Sequence, residues 1–193
     1  MFRRFNCEYL IAPANMQHRE IKESKILSFV RGKTVLDCGC GRGRWGYLLN
    51  KRRFVVVGFD ITRKYLLEAK KLRRYLMLIK ADASKPLPFN DNSFDTVLAV
   101  EVIEHLTKEK GYLFIEEIKR VAKKLVVLTT PEGFFKLNGD GNEAETHKSG
   151  WAMQEFEENG FKCIRIRKRI YYNWMLCLWF KNNDGEFQTS SVT

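Results

Sequence analysis

The chain has 193 residues, 34 basic against 23 acidic side chains, a net charge of +11 and 45% hydrophobic residues. That length suits one domain with a sizeable core, and the mix of apolar and charged residues excludes an intrinsically disordered chain. No stretch approaches the roughly 18 apolar residues a membrane span needs, and the opening MFRRFNCEYL lacks the long apolar run of a secretory leader.

Residues 1–17 have weak periodicity and read as an N-terminal arm. Residues 18–30 place Ile21, Ile26, Leu27 and Val30 on one helical face, and Arg31-Gly32-Lys33 ends that helix. Residues 34–37 form a short apolar strand, followed by a glycine-rich loop and a helix over 45–51. Residues 54–59 (FVVVGF) are an apolar run of the buried-strand type, closed by Asp60. Residues 62–75 read as a helix with Tyr65, Leu66, Ala69 and Leu72 on its inner face, and 76–80 as the third strand.

A turn-rich loop covers 82–92, and the fourth strand runs over 94–100. The helix over 108–122 is expected to bury Leu113, Ile115, Ile118 and Val121, and the fifth strand covers 125–128. Residues 133–148 are the least regular part and suit a cover over a site. A helix over 151–159 is stopped by Gly160. Strands over 161–170 and 174–180 are joined by Tyr171-Tyr172-Asn173 and so run antiparallel, and a tail follows. Strands that alternate with helices imply right-handed crossovers and a mostly parallel sheet between two helical layers. One α/β domain over 18–182 is expected, with the arm before it and the tail over 183–193.

The loop VLDCGCGRGRWG has two glycine registers. Gly41-x-Gly43-x-x-Gly46 fits a dinucleotide fingerprint. Asp37-x-Gly39-x-Gly41-x-Gly43 puts a carboxylate at the entrance instead. Ligands of open α/β sheets sit beyond the carboxyl ends of strands, and glycines let backbone approach them there. A carboxylate repels pyrophosphate and attracts an ammonium group, directly or through water, so Asp37 favours a nucleoside joined to an amino acid.

Asp60 can accept from two ribose hydroxyls in either register, or it can serve as a local helix cap. Asp82 and the Ala83 N–H suit an adenine edge, and the alternative for Asp82 is a local turn. Glu101-Val102-Ile103-Glu104-His105-Leu106 brings two carboxylates and an imidazole to the end of the fourth strand.

Taken together, Val35 to Gly43, Gly58-Phe59-Asp60, Asp82-Ala83, the run Leu87 to Val97 and Glu101 to Leu106 resemble the class I S-adenosylmethionine-dependent methyltransferases. The similarity is to the small single-domain, methyltransferase type 11-like kind. His147-Lys148-Ser149-Gly150-Trp151, Glu155-Phe156 and Gly160-Phe161 are similar to a late segment of that family. The resemblance implies a Rossmann-like seven-stranded sheet of order 3-2-1-4-5-7-6 with its last strand antiparallel. It implies S-adenosylmethionine as cofactor. Methionine-moiety contacts would come from Asp37, Gly39 and Gly41 in a loop that also includes Cys40 and Gly43. Ribose contacts would come from Asp60 beside Ile61, adenine contacts from Asp82 and Ala83, and Glu101 would stand next to the methyl donor.

Methyl transfer from a sulfonium needs alignment and desolvation of the acceptor, with a base only where the acceptor holds its proton tightly. His147, His105 and Glu104 are the candidates for that work. No Asn/Asp-Pro-Pro-Tyr/Phe follows the fourth strand and no Pro-Cys pair exists, which disfavours two modes of nucleic-acid base methylation.

A small-metabolite acceptor is favoured slightly over RNA, protein or another macromolecule, and a non-catalytic module of the same fold is the alternative outside enzymes. The basic balance keeps an anionic or nucleic-acid partner open. Arg165, Arg167 and Arg169 form either a basic ridge or the charged face of an edge strand. Cys7, Cys38, Cys40, Cys163 and Cys177 are odd in number and lack zinc-like spacing. No metal is therefore expected, and free thiols in a reducing, cytoplasmic compartment are. A monomer or a homodimer fits equally.

Overall fold

The computed structural model describes residues 18–139, 141–167 and 173–181. The expected arm, the tail from 182 onward, the Tyr171-Tyr172 turn and Arg169 lie outside the described residues. The elements in chain order are α1 His18–Phe29, β1 Thr34–Cys38, α2 Arg44–Asn50, β2 Val55–Asp60, α3 Arg63–Lys71, β3 Met77–Lys80 and β4 Phe94–Val100. A 3-10 turn, Ile103–His105, leads to α4 Lys108–Val121 and β5 Ala122–Pro131. Then come a 3-10 turn at Glu143–Glu145, α5 Met153–Glu158, β6 Lys162–Arg167 and β7 Asn173–Phe180.

The seven strands form one sheet of order β3-β2-β1-β4-β5-β7-β6. The pairs from β3 to β5 are parallel, and β7 runs antiparallel to both β5 and β6. This is the Rossmann-like class I arrangement. Both faces of the central strands are buried, which is why they read as unbroken apolar runs rather than as alternations. One face packs Phe114, Ile115, Ile118 and Phe156 from α4 and α5 against Leu36, Val97 and Val126. The other packs Ile26, Leu27 and Leu49 from α1 and α2 against Val35, Leu98 and Val127. Among the described residues no helix is long and apolar enough to cross a membrane.

Several boundaries differ from the expected ones for identifiable reasons. Helix α3 ends at Lys71 instead of running to 75, because Arg73 takes a left-handed conformation with φ 50° and turns Tyr75 inward. Leu72 is consequently 44% exposed. On α4 the buried face is Gly111, Phe114, Ile115, Ile118 and Val121, while Leu113 is 55% exposed. Leu113 lies two residues before Ile115, about 200° round the helix, and so faces outward. Strand β5 is longer than expected and starts at Ala122, directly after α4. Trp151 is not helical. It bridges to Glu132 and Gly133 and buries its ring over Gly111, where a Cβ would lie 2.3 Å from Trp151 Cζ2.

The expectation of free thiols throughout is corrected at one pair. Antiparallel β6 and β7 place Cys163 opposite Cys177 with Cα atoms 4.1 Å apart, and the two form a disulfide. Cys38 and Cys40 are free and buried. Strand β6 is the last in the sheet, and its Arg165 bonds Glu132 through Nε at 2.8 Å and Nη2 at 2.6 Å. Arg165 is therefore an ion-paired residue of an edge strand.

Candidate active site

A cavity of about 530 Å³ opens beyond the carboxyl ends of β1, β2, β3 and β4. Of the expected site residues, Gly39, Gly41, Asp60, Ile61, Asp82, Ala83, Glu101 and His105 line it. The 137–148 segment covers one side through Leu137, Ala144, Glu145 and Lys148. Tyr65 of α3 donates to the Glu145 carboxylate and accepts from Asn142 Nδ2 at 3.4 Å, which ties that cover to the cavity rim.

The glycine loop explains its own spacing. Gly39 and Gly41 have φ of 60° and 50°, a region most side chains avoid, and a Cβ on Gly41 would meet nothing within 4 Å. Gly41 thus presents bare backbone to the cavity. Gly43 and Gly46 serve a different purpose, together with Gly58. A Cβ on Gly46 would lie 2.2 Å from the Tyr75 ring, on Gly58 2.7 Å, and on Gly43 3.2 Å. These three glycines make room for one tyrosine. The tyrosine hydroxyl donates to Asp37 Oδ2 at 2.6 Å and accepts from the Gly46 N–H at 3.0 Å. Gly46 is therefore a packing glycine, the role that the last glycine takes in either register.

Asp37, Cys40 and Gly43 do not line the cavity. Asp37 is 1% exposed beneath the loop, and burial pushes its carboxyl up to about 7. The Tyr75 hydroxyl pulls the other way, and the Asp60 charge adds a smaller upward push. Burial likewise pushes the Cys38 and Cys40 thiols far above their usual range, with the Asp37 charge second, so neither is a nucleophile. Cys40 packs against Gly58, and its N–H donates to the Phe59 carbonyl at 2.8 Å.

Asp60 is 8% exposed, and its two oxygens accept from the Gly41 N–H at 2.8 Å and the Thr62 N–H at 2.7 Å. It locks the glycine loop to the start of α3 and keeps lone pairs for further donors. Asp82 Oδ1 accepts from the Ser84 N–H at 2.9 Å, the local turn that its sequence context offered. Glu101 sits just past β4 in the left-handed region with φ 57°, held by its N–H on the Thr129 carbonyl at 2.9 Å and by an ion pair to Lys22 of α1. A non-glycine residue held there is a strained position of the kind that clusters at functional sites.

At and behind the wall beyond Glu101, the structure gathers His105, Glu104 and His147, the three candidates for handling the acceptor's proton. His105 and His147 stack edge to face with ring centroids 5.0 Å apart. Glu104 lies beside them, 2% exposed, with the Thr130 hydroxyl donating to its Oε2 at 3.1 Å. Its backbone carbonyl accepts from the Lys148 and Ser149 N–H groups at 2.8 and 3.2 Å, which brings the chain carrying His147 back against the turn carrying His105. Burial raises the Glu104 carboxyl to about 7 and lowers His105. Glu104 and His147 themselves stand behind the cavity lining. Tyr75, Tyr65 and Lys22 were not singled out as site residues. A lone aromatic after a helix and an ordinary helix-face lysine carry no motif.

Residues 36–129 match the family model described as a methyltransferase domain. The chain is 29% identical over 136 residues to the uncharacterized protein MJ0638 of Methanocaldococcus jannaschii, covering 67% of this chain and 55% of that one. It is 28% identical over 159 residues to the ubiquinone biosynthesis O-methyltransferase of Glaesserella parasuis, covering 70% and 67%. The chain spans about half the length of most of the curated relatives it matches. Among solved structures, magnesium protoporphyrin IX methyltransferase from Synechocystis with bound S-adenosylhomocysteine superposes with a TM-score of 0.65 at 18% identity, over 86% of this chain and 84% of that one.

Proposed function

Starting from the class I S-adenosylmethionine-dependent methyltransferase domain that this chain carries, we propose that it transfers the sulfonium methyl group to a small-molecule acceptor held against the His105 wall of the cavity. The carrying observation is the convergence of Gly39, Gly41, Asp60, Asp82 and Glu101 on one cavity at the strand ends. Bare backbone at Gly41 accepts a close-lying amino-acid moiety. Asp60 offers its remaining lone pairs to a ribose diol, and exposed Ile61 offers an apolar surface beside it. Asp82 and Ala83 take the adenine edge. Glu101 faces the donor's charged end. Asp37 is a positioning group: it acts through Tyr75 and the loop above it.

In the transfer, a lone pair on the acceptor attacks the methyl carbon in line with the sulfur. The carbon–sulfur bond breaks, its electron pair stays on sulfur, and the sulfonium becomes a neutral thioether. His105, His147 and Glu104 stand on the side where the acceptor's proton leaves. The reading of a small acceptor is supported by the cover that Leu137, Ala144, Glu145 and Lys148 place on one side of the cavity. It is also supported by two relatives whose names place them on ubiquinone biosynthesis and magnesium protoporphyrin IX.

The test is calorimetric titration with S-adenosylmethionine and S-adenosylhomocysteine, then incubation of the enzyme and methyl-labelled cofactor with fractionated cell extract. Micromolar binding of both ligands and label in the fraction below a few kilodaltons are expected. Label confined to RNA or protein overturns the small-acceptor reading, and absence of cofactor binding by folded protein overturns the function.

A further inference from the structure

The cysteines show no metal-binding spacing, yet the fold assembles a different donor set. Glu104, His105 and His147 each offer one ligand atom, and these atoms all lie within 4.8 Å of one another. Ligands about 2.1 Å from a shared ion stand about 3–4 Å apart, so small side-chain rotations close the set around one ion. We propose that Glu104, His105 and His147 hold a single divalent transition-metal cation at the wall of the methyl-transfer cavity.

The hydrogen bonds around the two rings argue for ligation over a proton relay. His105 Nδ1 lies 3.3 Å from the Thr146 carbonyl, and His147 Nδ1 lies 2.6 Å from the Phe135 carbonyl. A carbonyl only accepts, so each neutral ring carries its proton on Nδ1 and leaves the Nε2 lone pair free. Holding one ring nitrogen on a backbone carbonyl is how metal-binding histidines are fixed in tautomer and orientation. A relay through Glu104 needs a ring N–H aimed at that carboxylate, and both ring donors are already spent on carbonyls.

Glu104 is oriented in the same manner. The Thr130 hydroxyl donates to Oε2 at 3.1 Å, and a carboxylate has further lone pairs to offer an ion. Its backbone carbonyl grips the Lys148 and Ser149 N–H groups, so all three donors ride on one braced unit instead of on separate loops. Two imidazoles and one carboxylate suit Mn²⁺, Fe²⁺, Co²⁺ or Zn²⁺ better than Mg²⁺ or Ca²⁺, which prefer all-oxygen sites. Three protein donors leave coordination positions open, and His105 is the member of the set that lines the cavity.

What fills the open positions rests on the methyltransferase reading above. There the cation takes an oxygen of the acceptor, which favours a hydroxyl nucleophile over an amine. Bound to the cation, the hydroxyl releases its proton to solvent more readily. Its oxygen then forms the bond to the methyl carbon as the carbon–sulfur bond breaks toward sulfur. The histidines hold the cation in this scheme and do not themselves accept the proton.

The experiment uses the untagged full chain, stripped with chelator and titrated with Mn²⁺. Binding is followed by loss of the free ion's electron paramagnetic resonance signal, and Co²⁺ is followed in parallel by its visible spectrum. One cation per chain is expected, with affinity at least about 100-fold weaker in both His147→Ala and His105→Gln. Thermal melting in both variants, and S-adenosylhomocysteine affinity in His147→Ala, whose side chain stands behind the cavity lining, should stay close to the parent's, which separates lost ligation from lost folding. Absence of saturable one-to-one binding of either ion below millimolar concentration overturns the proposal, as does binding that survives both substitutions. The nucleoside titration on the same samples keeps the two readings apart: retained nucleoside binding without cation binding removes only the cation site. Cation binding without nucleoside binding removes only the methyltransferase function.

Discussion

Replacing Tyr75 with Phe asks whether the glycine loop is shaped from beneath. The ring and its contacts with Gly43, Gly46 and Gly58 survive, and only the hydroxyl is lost. That hydroxyl donates to Asp37 and accepts from the Gly46 N–H in the first turn of α2. A hydrogen bond to a carboxylate contributes about 1.5–3 kcal/mol, and a buried N–H left without an acceptor costs about 1 kcal/mol or more. The expected loss at alkaline pH is therefore about 2–4 kcal/mol, or a melting temperature lower by about 5–15 °C for a chain of this size.

The loss should depend on pH in a defined direction. The Asp37 carboxyl sits near 3.8 when exposed and is pushed up to about 7 in the fold. Between these values the folded state holds a proton that the unfolded chain has released, so stability falls as pH rises through 7. Without the Tyr75 donor the carboxyl rises further, and the fall extends above 7. Urea unfolding at pH 5, 7 and 9 should show the deficit of Tyr75→Phe widening toward pH 9. Asp37→Asn should flatten the slope in both backgrounds. A deficit below about 0.5 kcal/mol that stays constant across this range refutes the reasoning, because it would mean the hydroxyl is not what holds Asp37.

Gly46→Ala places a Cβ 2.2 Å from the Tyr75 ring, and overpacking of this kind costs about 1–3 kcal/mol. Chemical denaturation should show that loss while the folded fraction still binds S-adenosylhomocysteine; unchanged stability would refute the close packing of Gly46 on Tyr75. Asp60→Asn keeps the size of the side chain but removes the charge that accepts from Gly41 and Thr62. Calorimetry should report nucleoside affinity reduced at least about 10-fold, a loss of about 1.4 kcal/mol, and full affinity would remove Asp60 from the ribose site. Reducing the Cys163–Cys177 bridge reopens a link across 14 positions, which in the chain-entropy picture stabilises by about 3 kcal/mol. Dithiothreitol should lower the melting temperature by several degrees in the parent and have no effect in Cys163→Ser.

The sheet was legible in the amino-acid order because the signals that mark it are local. Apolar runs such as Phe54 to Phe59 and Phe94 to Val100 mark strands buried on both faces, and alternation with helices implies parallel crossovers. Gly39, Gly41, Asp60, Asp82 and Glu101 were legible for a related reason: each sits at or just beyond a strand's carboxyl end, and the strand alone places it beside the cavity.

Contacts between distant stretches were not legible. Tyr75 meets Gly43, Gly46 and Gly58 only because α3 stops four residues early and the chain turns inward. The pairing of Cys163 with Cys177 follows from the register of β6 on β7, which composition does not report. His105 and His147 are separated by 42 positions and meet because the Glu104 carbonyl holds the returning chain. Periodicity and motif spacing record what a residue's near neighbours require, and they determined the fold and most of the cavity wall. Which glycine opens onto the cavity and which makes room for a ring, and which carboxylate faces two imidazoles, were decided by where separate segments close on one another in space.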